Sequence, residues 1–164
     1  MRVAALSFAA VCAVGAASAA TTGEADAKSC NARTAVALRR GLPDWIAPYG
    51  DIGERLCFDF TGDGRPDMVV TMWAYMNHGA HYWAAFRGTA RGWVRVAYKA
   101  DCCARGPRRG GAGIAIKRAG SRIVIEQPVY RPSDGACCPT GGTKTGRWGW
   151  RNGRLILVGS SRGG

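Results

Sequence analysis

The sequence predicts a mainly β domain: an antiparallel meander of seven to eight strands, forming a small sandwich or open barrel. One short N-terminal helix precedes it, and disulfides staple it. Three observations lead there. Beyond residue 53, apolar residues recur with a period of two in runs of five to nine residues, the spacing of half-buried strands. Turn-forming Gly, Asn and Asp separate the runs, and Asn152-Gly153 is the strongest short-range hairpin signal among them. Six cysteines lie beyond residue 29, an even count that reads as a disulfide framework in an exported chain.

The elements follow in order. Ser29 to Arg40 reads as the helix. Ser29 can cap it, Arg39 and Arg40 suit its C-terminal end, and Gly41 can stop it. Residues 41–50 are a proline-broken connection. Strands are expected at Glu54–Phe60, Met68–Met76, His81–Arg87, Trp93–Lys99, Ile114–Arg118, Arg122–Gln127, Lys144–Trp150 and Arg154–Val158. In the fourth, alternation sets Val94, Val96 and Tyr98 against Trp93, Arg95, Ala97 and Lys99. A single β-rich domain over 29–158 results, followed by a disordered tail at 159–164.

The first 19 residues read as a signal peptide. Arg2 is a basic start, residues 3–15 are nearly all apolar, and Ala17-Ser18-Ala19 offers a cleavage site. Residues 20–28 are small and polar and read as a disordered N-terminus. Cleavage after Ala19 leaves 145 of the 164 residues, enough for one core. Secreted or periplasmic localisation follows, and no later run is long and apolar enough for a transmembrane helix. Cys12 lacks the small residue expected just before a lipid-bearing cysteine. Of the remaining six, the expected pairing is Cys30 with Cys57, and the doublet Cys102-Cys103 with the doublet Cys137-Cys138, because a ring between sequence neighbours is strained. A metal cluster on the doublets is the competing reading, against the two-to-four-residue spacing of zinc cysteines.

Charge is unevenly spread. Residues 1–67 hold 7 basic and 8 acidic residues, and residues 68–164 hold 16 and 3. The basic half reads either as an anion-facing surface or as solvated cations spread over outward strand faces. No Lys/Arg run with interleaved aromatics marks a nucleic-acid groove. The expected partners are therefore anionic envelope polymers, bound weakly by a monomer, and no specific nucleic acid.

The densest chemistry lies in Asp59-Phe60-Thr61-Gly62-Asp63-Gly64-Arg65-Pro66-Asp67. Acids at the first, fifth and ninth positions and a hydroxyl at the third suit a loop around calcium. Asp59, Thr61, Asp63 and Asp67 would supply side-chain oxygens, and Arg65 its carbonyl. The same residues also make an ion-free turn, with Asp59 and Asp63 accepting backbone N–H groups and the glycines taking positive φ. This loop resembles the calcium loop of FG-GAP (VCBS-type) repeats, although Thr61 stands where those carry an acid or amide. A wider resemblance is to small exported bacterial proteins of the LppP/LprE lipoprotein type. It rests on Thr61-Gly62-Asp63-Gly64-Arg65-Pro66-Asp67, then Tyr130 followed by Cys137-Cys138-Pro139, then Trp148-Gly149-Trp150, over most of residues 55–158. The chain departs from that type in its lipobox and in its Cys102-Cys103 doublet. The resemblance implies an exported domain and carries no activity with it.

Catalytic candidates are few. His78 and His81 are the only histidines. They could serve as paired acid and base in a small ribonuclease-like hydrolase or, with an Asp, hold a metal, and equally they could be a polar turn. Trp73, Trp83, Trp93, Trp148 and Trp150, with Tyr75, Tyr82 and Tyr98, could form a sugar-binding strip or fill the core, and core is the expectation. The reading that follows is a non-catalytic binding or envelope-associated domain. Its rivals are the hydrolase and an enzyme inhibitor presenting residues 104–111 or 132–142.

Overall fold

The structure, a computed structural model, describes residues 30–39, 51–73, 80–100, 102, 113–135 and 138–164. The expected signal peptide, the segment 20–28, the expected proline-broken connection, the loop 104–111, His78, Tyr75, Cys103 and Cys137 lie outside the described residues.

The elements are helix α1 (Ala32–Arg39) and strands β1 (Ile52–Phe58), β2 (Asp67–Trp73), β3 (Ala80–Thr89), β4 (Gly92–Lys99), β5 (Ala115–Ala119), β6 (Arg122–Pro128), β7 (Thr143–Arg151) and β8 (Arg154–Gly163). All eight expected strands are present, and every pairing is antiparallel between sequence neighbours. The meander breaks once, into a β1–β4 sheet and a β5–β8 sheet. It is a sandwich and not a closed barrel.

One core lies between the sheets. Phe58, Phe60, Val69, Trp83 and Ala85 from the first meet Ile114, Ile116, Ile123, Ile125, Trp148 and Leu155 from the second. Trp83 and Trp148 meet edge to face, with centroids 5.0 Å apart, a favoured aromatic geometry. A second apolar layer lies on the other face of the first sheet. There Met68, Val70, Met72, Ala84 and Phe86 pack with Ala35 and Leu38 of α1. Strand β2 is therefore buried on both faces, which explains its continuous apolar run where its neighbours alternate.

Four expectations need correction. The helix starts later than expected: Asn31 Oδ1 accepts the Thr34 N–H at 2.9 Å, so Asn31 caps a helix that begins at Ala32. The first strand ends at Phe58, because Asp59 and Phe60 already belong to the acidic turn. The fourth strand does not alternate throughout. Ala85 pairs with Ala97 but Phe86 with Arg95, so Val96 is an extra residue. This bulge shifts the phase, and Trp93 and Tyr98 both pack on the helix side. Finally, residues 159–163 are not a disordered tail. They complete β8, with Ser161 opposite Thr145 and Gly163 opposite Thr143. Gly, Ser and Arg carry little strand propensity, and a long β7 template overrides it.

The β7–β8 hairpin turns as its sequence requires: Asn152 has φ 49° and Gly153 φ 74°, two positive values that suit a type I′ turn. A disulfide joins Cys30 to Cys57, with Cα atoms 6.2 Å apart, and ties α1 to β1. Cys102 and Cys138, one from each doublet, are also disulfide-bonded. Oxidised sulfur is no metal ligand, which removes both from the cluster reading. Among the described residues, no helix is long and apolar enough to cross a membrane.

Candidate functional site

The acidic turn joins β1 to β2, and its shape follows from its three carboxylates. Asp67 opens β2 and is fully buried. Its Oδ2 accepts the N–H groups of Phe60 and Thr61, each at 2.9 Å. Its Oδ1 accepts the Gly88 N–H of β3 at 3.0 Å. Burial pushes the Asp67 carboxyl upward, and these donors oppose that rise. A carboxylate can leave water here because backbone dipoles replace its hydration. Gly88 matters for the same contact: a Cβ there would collide with the Pro66 carbonyl oxygen, so only glycine lets the two strands approach.

Asp59 holds the tip. Its Oδ1 accepts the N–H groups of Gly62 at 2.6 Å and Asp63 at 3.2 Å, and its Oδ2 accepts that of Gly64 at 2.8 Å. Gly62 and Gly64 take φ of 78° and 81°, the left-handed conformation that glycine adopts without strain. Thr61 Oγ1 lies 3.3 Å from Asp59 Oδ1. Asp63 Oδ1 accepts the Arg65 N–H at 3.1 Å, and its Oδ2 accepts Arg87 Nε and Nη2 at 3.1 and 2.7 Å. The Arg87 guanidinium, through these hydrogen bonds, holds the Asp63 carboxyl below the usual carboxylate range. Arg87 also lies 5.8 Å over the Trp150 ring. The turn is thereby fastened to a side chain of the second sheet.

Each of the six carboxylate oxygens of Asp59, Asp63 and Asp67 thus accepts an N–H. A calcium cage needs those lone pairs to converge on one ion, whereas these diverge onto the backbone, and a guanidinium occupies Asp63. As placed, the three carboxylates serve the fold as hydrogen-bond acceptors. Among the described residues, no group of three or more His, Cys, Asp or Glu is placed to hold a metal.

A second carboxylate hub was not anticipated from the sequence. Asp134 Oδ2 accepts the N–H groups of Arg131 at 2.6 Å and Thr140 at 2.8 Å, and Oδ1 accepts the Thr140 hydroxyl at 2.6 Å. The Thr140 hydrogen bond leads in lowering the Asp134 carboxyl. Backbone bonds from Val129 to Gly142 and from Gly141 to Val129, both 2.8 Å, close the base of this loop, and Cys138 anchors it. The signal was present in Pro132-Ser133-Asp134-Gly135, a turn sequence with a mechanism.

The other candidates separate. His81 lies on β3, and His78 lies outside the described residues, so no imidazole pair is placed. Trp83 and Trp148 are core, and Trp93 and Trp150 are partly buried against the two clusters. Tyr82 stacks on Tyr98, with centroids 6.0 Å apart. These aromatics pack the interior and do not line up as a surface strip. Cys102 helps to seat them: Trp148 Nε1 donates to its carbonyl at 2.9 Å, and its own N–H donates to Gln127 Oε1 at 3.0 Å.

No family model, curated protein or solved structure gives a significant match to the chain.

Proposed function

We propose that the protein is a secreted or periplasmic, monomeric, non-catalytic binding module associated with the cell envelope, with an ion-free acidic turn as its structural keystone. One observation carries this reading. The most chemically dense segment of the chain spends every carboxylate oxygen on N–H groups of its own fold, so it builds architecture and has no oxygen poised toward a substrate. The order Cys137-Cys138-Pro139 followed by the closing Trp148-Gly149-Trp150 hairpin, similar to exported lipoprotein domains, supports the location. The test is to incubate the purified, oxidised protein with washed envelopes, RNA and polysaccharides. Retention on envelopes without cleavage is expected. Hydrolysis of any of these polymers, abolished by His78→Ala or His81→Ala, would establish the hydrolase reading instead.

A second reading, an enzyme inhibitor, has one observation in its favour. Loop 129–142 is exposed at Arg131, Pro132, Ser133 and Thr140, while Asp134 and a disulfide hold it rigid. A pre-ordered loop loses little entropy on binding. Inhibition of a secreted protease or glycosidase, lost in Asp134→Ala, would select this reading.

A further inference from the structure

We infer that the outer, arginine-bearing face of the β5–β8 sheet is a docking stripe for a linear anionic polysaccharide; this deepens the binding-module reading and rests on it. Ile123, Ile125, Trp148 and Leu155 point into the core, so alternation turns their neighbours outward. Arg122, Arg147, Arg151 and Arg154 are all exposed on that outer face, with Lys117. Their register makes a line. Ile123 pairs with Trp148, which sets Arg122 beside Gly149 and diagonally between Arg147 and Arg151, at about 7–8 Å from each. Arg151 pairs directly with Arg154. At the other end Lys117 pairs with Val124, and Val124 with Arg147. The five cations therefore run obliquely across the sheet from β5 to the β7–β8 hairpin.

The four arginines of the stripe have no carboxylate partner among the described residues, whereas Lys117 at its end does. Glu126 faces the same side and pairs with Lys117 at 2.6 Å. Among the described residues, no carboxylate pairs with Arg122, Arg147, Arg151 or Arg154. Arg87, by contrast, is paired with Asp63. Like charges set directly opposite each other, as at Arg151 and Arg154, destabilise a sheet. A bound polyanion would convert that repulsion into attraction, and guanidinium groups recognise carboxylate or phosphate with two parallel hydrogen bonds.

The surroundings select the partner. Between the cations lie Val124, Gly149, Ile156, Val158 and Gly159, which are uncharged. Gly149 sits directly under Val158. No aromatic side chain is on this face, since Trp148 points inward, so the stacking platform of single-stranded nucleic-acid binders is missing. Ile156, 38% exposed, is the one large apolar side chain exposed on this face among the described residues, which falls short of the apolar face that enters a bilayer interface. A narrow band of cations crossing the strands matches a linear polymer that carries anions along its length.

The test titrates purified, oxidised protein with polygalacturonate at low and high salt. Arg122→Glu/Arg151→Glu should weaken binding by at least about tenfold at low salt and flatten its salt dependence. Arg55→Glu/Arg91→Glu changes the net charge equally away from the stripe and should weaken binding by less than about twofold. Arg122→Gln/Arg151→Gln, a milder change, should fall between them, with all variants checked for an unaltered melting temperature. Equal losses in stripe and control variants would overturn the site. Tighter binding to oligo(dT) or to phosphatidylglycerol vesicles than to polygalacturonate would overturn the polysaccharide. Loss of polygalacturonate binding alongside intact envelope retention refutes the stripe and leaves the module reading standing. Failure of both refutes both.

Discussion

The two sheets share a topology and differ in what covers them. The β1–β4 sheet is packed on both faces, by the other sheet and by α1, and its inner strand β2 carries Met68, Val69, Val70, Thr71 and Met72 buried in succession. The β5–β8 sheet gives one face to the core, and Arg122, Arg147, Arg151 and Arg154 are exposed on the other. Strand pattern follows the number of buried faces. The difference also divides labour: the first sheet holds the stapled helix and the keystone turn, and the second offers an open surface.

The largest expected effect tests that asymmetry directly. Met72→Ala empties the helix-side layer and should cost about 2–5 kcal/mol, whereas Arg147→Ala on the bare face should stay within about 0.5 kcal/mol of wild type. Denaturant melts of both decide. Comparable losses would mean that the second sheet is covered as well. Next comes the staple. Cys30→Ser/Cys57→Ser opens a loop of sequence separation 27 and should cost about 2–4 kcal/mol. If α1 owes its place to the tether, amide exchange in residues 32–39 should rise more than in β6.

Asp67→Asn follows. An amide at 67 would turn its NH₂ group, or leave a weaker acceptor, toward backbone donors now served by two charged oxygens, at a cost of about 2–3 kcal/mol. Loss of protection at Gly88, measured by amide exchange, should accompany the drop in melting temperature. Asp63 is the smallest. It and Arg87 are partly solvated, so Asp63→Asn should cost under about 1 kcal/mol. Its carboxyl is lowered in the fold, so this contribution is present above the ordinary value near 3.8 and is lost as pH falls through the depressed one. Wild-type and variant melting temperatures should therefore converge in acid. Calcium added after EDTA should move neither protein. A rise of several degrees in the wild type alone would revive the calcium loop.

Much of this architecture was legible in the residues. Period-two runs and their turns located eight strands, because alternation is imposed locally by the pleat. Asn152-Gly153 and the positive-φ Gly62 and Gly64 were equally local, each set by its own steric freedom. The bulge at Val96 was not, since an extra residue in β4 exists only relative to β3. Strand residues 159–163 were hidden for a related reason: Gly159, Ser160, Ser161 and Gly163 have no strand preference until β7 lies beside them. The acidic turn shows the same divide. Its nine residues announced three carboxylates in a tight loop, but calcium and backbone N–H groups ask for the same side chains at the same spacing. Donors from Gly88 and Arg87, more than twenty residues away, reach the carboxylates only after β3 has paired with β2. Sequence alone pointed to the strands, the turns and the Cys30–Cys57 pairing, all governed by local sterics and covalent chemistry. Tertiary structure alone decided which oxygens were already occupied and which cations stood in line, because both depend on register between strands.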